Sequence, residues 1–218
     1  MATLGILTPP RVHEDARGRT SSYEHWVKPT IDVVGAAALL LVCLPVLLAV
    51  VVAIRITLGR GVLYRQERVG LGGRRFVIYK FRTMGHDRRR NNMAFVGENR
   101  RRTHKDPNDP RHTTLGRVLR KTSVDELPQL FNVLRGDMSL VGPRPELPAV
   151  VAEYLPVHHR RHVVKPGITG SWQVSPYRDQ PITQAIGLDL AYVDSVGFAT
   201  DCRLLCKTIP AVLSRRSF

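Results

Sequence analysis

The chain has 218 residues, with 33 Lys and Arg against 18 Asp and Glu and only three cysteines. Such a length suits one globular domain with its own core plus an extra element, and the odd cysteine count excludes a disulfide framework and points to a reducing compartment. The net charge of +15 falls wholly after residue 54, since residues 1–54 carry four basic and four acidic side chains. From Arg55 to Lys121 there are 19 basic residues against 5 acidic ones, a surface that seeks phosphates on nucleic acid, nucleotides or anionic lipid headgroups.

Residues 1–27 are polar, with mixed charge and Pro9-Pro10. They are expected to form a flexible arm, without the apolar core and cleavage site of a secretory signal. Residues 28–56 are expected to form a membrane helix, re-entrant or spanning. Its centre, Val33–Ile54, is 22 residues without a charge, about 33 Å of helix against a hydrocarbon core of about 30 Å. Pro45 removes one backbone hydrogen bond near the middle and predicts a kink. The cations that follow keep the C-terminal portion, residues 57–218, on the cytoplasmic side.

Residues 61–84 read as a hairpin, two short strand-like runs joined through Gly70, Gly72 and Gly73. Lys80 and Arg82 alternate with Tyr79 and Phe81 and should share one face. Residues 85–113 are polar, with two arginine triplets, and read as a long loop. Helices are expected at about 114–121, 124–135 and 146–163. The last of these ends in His158-His159-Arg160-Arg161-His162, which reads as an exposed basic face rather than a metal site. Lys165–Gly170 reads as a turn and Trp172-Gln173-Val174 as a short strand. Helical spacing returns from about 184 to 213, where Arg203 and Lys207 accompany an apolar face that could lie on a membrane surface or pack on the domain. Cys202 and Cys206, four apart, are read as ordinary packing.

The stretch Leu119–Arg144 carries the chemistry. Asp125 and Glu126 follow the cations Arg120 and Lys121, with Thr122-Ser123 as a helix start. Ser123-Val124-Asp125-Glu126 also fits a capping box, and acidic residues suit a first helical turn for dipole reasons alone. The other reading is that a phosphoryl group is caught and handed on here. Gly142-Pro143-Arg144-Pro145 is held extended by its prolines, which suits Arg144 to a fixed contact.

Several of these segments, in this order, resemble one family. They are the Pro45-containing helix, Arg65–Gly70, Tyr79–Met84, Asp109–Arg111, Leu119–Leu130, Gly136–Pro145 and Pro166–Gly170. Over residues 28–213 the chain resembles the bacterial sugar transferases, the monotopic polyprenyl-phosphate phosphoglycosyl transferases. It looks like their minimal single-domain form. The resemblance implies an α+β fold, mostly helical, with a Pro-kinked re-entrant helix whose two ends are cytoplasmic. A small catalytic domain at the bacterial inner membrane, with a short β-hairpin and membrane-surface amphipathic helices, completes it. It also implies a reaction in which a sugar 1-phosphate passes from a nucleotide diphosphate sugar, usually a UDP-sugar, to polyprenyl (undecaprenyl) phosphate. UMP is released in this first step of exopolysaccharide, capsule, O-antigen or glycoprotein glycan assembly. By the same resemblance Asp125 is the nucleophile that carries the phospho-sugar, and Glu126 beside it helps hold magnesium. Lys80, Arg82, Arg120 and Arg144 match phosphate-binding positions. Membrane lipids are implied partners, a homodimer is allowed, and no nucleic acid is expected. Pro176-Tyr177-Arg178 departs from the family pattern in a region that could touch the donor, which leaves the sugar open. The rival expectation is a membrane-tethered basic protein that binds nucleic acid or anionic lipid without catalysis.

Overall fold

In a computed structural model of the chain, residues 21–85, 111–178, 180 and 182–214 are described. Most of the expected arm and residues 86–110 of the expected loop lie outside them. The longest element is α1, Lys28–Leu58, which follows directly on a π-helical turn at Tyr23–Val27. Helical structure therefore begins within the stretch assigned to the arm. The helix runs on through Pro45, so the missing hydrogen bond does not end it.

One stripe of α1 is buried along its whole length: Lys28, Asp32, Ala36, Leu47, Val50 and Ile54. The partly buried Leu40 and Cys43 fill the gap, so contacts recur every three or four residues, as one helix face requires. The opposite face exposes Leu41, Val42, Leu48, Val52 and Ile56. From Tyr23 to Leu58 the helix is long and apolar enough to cross a membrane, and only 17% of its most apolar window is buried. A core helix of a soluble protein would hide that surface from water.

The strands β1 (Leu63–Val69) and β2 (Arg75–Phe81) form the expected hairpin. They pair antiparallel from Leu63 opposite Phe81 to Val69 opposite Arg75. The reversal uses Gly72 and Gly73, both at positive φ, where a side chain would be strained. The predicted helix at 114–121 is present as α2, Thr114–Lys121, and Thr113 caps it by accepting from the Gly116 amide.

The next helix begins later than predicted. Val124–Glu126 is a single 3₁₀ turn, and α3 occupies only Gln129–Leu134. Ser123 is left-handed at φ 59° with no side-chain cap bond, so no capping box forms. Glu126 instead turns its carboxylate to distant partners, described below. A second sheet, absent from the sequence reading, pairs β3 (Ser139–Val141) in parallel with β4 (Gly167–Thr169). It explains two glycines of the motifs. A Cβ on Gly167 would lie 2.0 Å from the Gly142 amide nitrogen, and one on Gly170 would lie 2.1 Å from the Gly142 carbonyl oxygen.

Between these strands the predicted 146–163 helix is broken. Only Pro148–Val151 is α-helical (α4), and Pro156–Val163 is a 3₁₀ stretch. Pro156 forces Leu155 into an extended conformation (ψ 154°), as a following proline does. Trp172-Gln173-Val174 forms turns, not a strand. The C-terminal helices are α5, Ile182–Asp194, and α6, Phe198–Leu213. The architecture is mostly helical with two small sheets. Its main apolar core joins Ala36 of α1 to Leu130 and Val133, to Leu140 and Val141, and to Tyr192, Val193 and Leu204.

Candidate active site

Glu126 is the point where three chain-distant segments meet. Its Oε1 accepts from Lys80 Nζ at 2.6 Å and from Arg144 Nη2 at 3.2 Å. The hairpin brings Lys80 and the Pro-Arg-Pro segment brings Arg144, so the 3₁₀ turn is held from both sides. Asp125 lies in the same turn and is only 8% exposed. Glu126, with Asp125 adding to it, pushes the Arg144 guanidinium pKa up against the cost of its burial. Arg144 also lies 5.8 Å from the centre of the Trp172 ring, within cation–π range.

The other predicted cations are placed differently. Arg82, just past β2, donates to the carbonyls of Leu58 and, at 2.6 Å, of Arg60. It ties down the C-terminal end of α1, whose last carbonyls have no helical partner. Arg120 on α2 lies 2.5 Å from His112 Nδ1 and donates to the Gly116 carbonyl at 3.3 Å.

Sequence reasoning missed the residues that hold this arrangement. Asn132 on α3 is fully buried. Its Oδ1 accepts from the Tyr79 amide at 3.2 Å and its Nδ2 donates to the Val77 carbonyl at 2.7 Å. It pairs with the edge of β2 as a strand would, and so sets Lys80 beside Glu126. The available signal was a polar residue inside the apolar run Leu130–Leu134.

Arg161, expected on an exposed basic face, is 1% exposed, and His162 is 4% exposed. Arg161 pairs with the fully buried Asp189 of α5 at 2.5 Å, and donates to Tyr154 Oη and to the Arg144 carbonyl, each at 2.7 Å. Burial is the largest single influence and works against the Arg161 charge, but Asp189, Tyr154 and Glu146 together outweigh it and the pKa is raised. The backbone of Arg144 is thus fixed from behind while its side chain faces Glu126.

His162 stacks on Tyr154, and neither ring nitrogen has a hydrogen-bond partner. Burial, helped by the Arg161 charge, pushes its pKa down to about 3. In the unfolded chain an imidazole titrates near 6.5. Between those values the unfolded state binds the extra proton, so stability is complete above about pH 6.5 and falls as the pH drops. The expected loss is about 1.4 kcal/mol per pH unit below 6.5, or roughly 2 kcal/mol by pH 5. His162→Phe keeps the stacking and should flatten this acid slope in thermal melts. An equally steep slope in the variant would contradict the assignment.

At the far end of α1 a second polar cluster forms. Lys28 Nζ donates to Asp201 Oδ2 at 2.5 Å and to the Val141 carbonyl at 3.0 Å. Tyr23 and Tyr192 hydroxyls donate to the same Asp201 carboxylate. Asp32 accepts from the Leu140 amide and the Ser139 hydroxyl. Both ends of the apolar helix are therefore bound to one globular body.

Comparison with known proteins gives the same reading over almost the whole chain. Residues 23–215 match the model of a family described as bacterial sugar transferase. Exopolysaccharide production protein ExoY of Rhizobium meliloti (strain 1021) is 39% identical over 100% of this chain and 99% of its own. The UDP-glucose:undecaprenyl-phosphate glucose-1-phosphate transferase of Caulobacter vibrioides is 38% identical, over 94% of this chain and 73% of that protein. The UDP-galactose-lipid carrier transferase of Erwinia amylovora is 39% identical over 87% of this chain but only 41% of that protein.

Proposed function

Because this chain belongs to the bacterial sugar transferase family, we propose that it moves a sugar 1-phosphate from a UDP-sugar to undecaprenyl phosphate at a membrane. One relative is named for that transfer with glucose, and another is named a UDP-galactose-lipid carrier transferase. The observation that carries the reading is the convergence of Lys80 and Arg144 on Glu126, with Asp125 buried beside it. Two cations and two carboxylates at one turn can bind a diphosphate and attack it.

In the first half-reaction an Asp125 carboxylate oxygen attacks the phosphorus that bears the sugar. The bond from that phosphorus to the nucleoside monophosphate oxygen breaks, and UMP leaves with the electron pair. In the second half an oxygen of the acceptor phosphate attacks the same phosphorus, and the bond to Asp125 breaks. Two steps let a water-soluble donor and a lipid acceptor react in turn. Lys80 and Arg144 offset the charge of the transferred phosphate in a partly dry site.

Magnesium belongs to the proposal through Asp125 and Glu126. Among the described residues no group of three or more His, Cys, Asp or Glu gathers to cage an ion. Two adjacent carboxylates completed by substrate oxygens and water are the kind of donor set that magnesium accepts. The ion would neutralise charge between the donor phosphates. A screen of UDP-sugars with undecaprenyl phosphate, on protein in nanodiscs, should give UMP release and lipid-linked product. Glu126→Gln should raise the magnesium concentration needed. Intact protein that turns over no nucleotide sugar would sink the reaction.

We also read α1 as re-entrant, with the globular body on the cytoplasmic face of the inner membrane. Supporting this, Lys28 and Asp32 at one end and the Leu58 carbonyl at the other all bind the same body. With the native cysteines replaced, Ser22→Cys and Arg60→Cys should both escape an impermeant maleimide applied to intact cells. Labelling of Ser22→Cys alone would establish a true span.

A further inference from the structure

Behind the catalytic turn lies a cavity of about 290 Å³, with Glu126 in its lining. Its other walls are largely apolar: Leu39 of α1, Leu140, Ile168, and Leu205 and Val212 of α6. Both bounding helices present apolar surface to the outside, Leu41 and Val42 on α1 and Ile209 and Leu213 on α6. The helices that bound the cavity therefore also carry faces that suit a hydrocarbon environment. Toward the turn its lining changes character. Ser123 Oγ and both amide atoms of Gln173 are buried there without a hydrogen-bond partner. Buried polar atoms are normally paired, and the Ser123 hydroxyl and the Gln173 amide nitrogen are donors without the acceptor that an anionic head would supply. The cavity thus asks for a molecule with a polar head at the turn and an apolar body behind it.

We propose that this cavity is the acceptor site, in which Ser123 and Gln173 hold the phosphate of a polyprenyl phosphate and the first isoprene units lie between α1 and α6. The inference rests on the acceptor being a polyprenyl phosphate, as argued above. A donor sugar fits the cavity poorly. Its hydroxyls would face leucine, isoleucine and valine walls and lose their hydrogen bonds. The isoprenoid chain needs only apolar contact. With its phosphate at Ser123 and Gln173, the lipid arrives beside Glu126, on the turn that carries Asp125.

The test uses the full chain in nanodiscs. Leu205→Trp and Val212→Trp fill the cavity, whereas Ile209→Trp places the same bulk on an α6 residue that is 66% exposed and outside the lining. The first two should raise the KM for polyprenyl phosphate about tenfold or more, roughly the effect of losing two buried methylenes. They should leave the KM for the UDP-sugar and the acceptor-free release of UMP unchanged, and Ile209→Trp should match the parent. An unchanged acceptor KM would overturn the proposal, as would a raised donor KM alone, which would assign the cavity to the sugar. A prenyl phosphate carrying a diazirine gives a second readout on the unsubstituted protein. It should label Leu39 and the 205–212 segment. Label confined to Leu41 and Val42 would overturn the site. Cavity labelling by a protein that turns over no nucleotide sugar would support the site while refuting the reaction, so the two failures differ.

Discussion

Asp125→Asn is expected to abolish turnover, with a loss on the order of 10⁴-fold or more, the scale of removing a covalent nucleophile. The amide keeps the shape of the carboxylate but cannot form the bond to phosphorus. Glu126, Lys80 and Arg144 remain in place, so donor binding and the melting temperature should change little. Two measurements decide it: UMP release in the absence of acceptor, and product formation in its presence. A variant that released UMP at the normal rate would remove Asp125 from the chemistry and leave Glu126 to be reconsidered.

The second large effect concerns the support behind Arg144. Asp189→Ala leaves the Arg161 guanidinium, 1% exposed, without its buried counter-charge. Breaking one side of such a pair costs about 3–5 kcal/mol, a large share of the roughly 5–15 kcal/mol that holds a domain folded. For a chain of this size the melting temperature should fall by roughly 10 °C. The double variant Arg161→Leu/Asp189→Leu removes both charges and should recover much of that loss. Its catalytic rate should not recover with it, because the bond from Arg161 to the Arg144 carbonyl would still be missing. That split between stability and rate distinguishes a positioning residue from a merely structural one. A loss below about 1 kcal/mol, or a double variant as unstable as the two single losses added, would contradict the account.

What the sequence made legible follows from how local each signal is. The hairpin, α2 and the C-terminal helices rest on period, turn glycines and caps, which act within a few residues, and they form where expected. The apolar helix is legible by length alone. Because it is apolar all round, its sequence could not tell which stripe, Ala36 to Ile54, packs on the domain. The Asp125-Glu126 pair with its cations was found through motif resemblance, and the structure gathers Lys80 and Arg144 on Glu126. Arg82 it places at the end of α1, bonded to the Leu58 and Arg60 carbonyls.

Two of the failures share a physical cause. A polar side chain is buried only where a distant partner meets it, and Asp189 lies 28 residues beyond Arg161. A basic run such as His158–His162 therefore reads as solvated until that partner is known. Asn132 is the same case, since its partners are backbone groups of Val77 and Tyr79. The misplaced helix at 146–163 is different: Pro156 carried a local warning in its restriction of Leu155. The capping box failed because Ser123 is left-handed, so the turn presents Glu126 to Lys80 and Arg144 rather than to its own amide.

The most direct measurement is intact and peptide mass spectrometry on protein quenched after mixing with its UDP-sugar and no acceptor. The account predicts an added sugar phosphate on the peptide containing Asp125, discharged when polyprenyl phosphate is supplied. Full turnover with no adduct, or an adduct on a different residue, would contradict it.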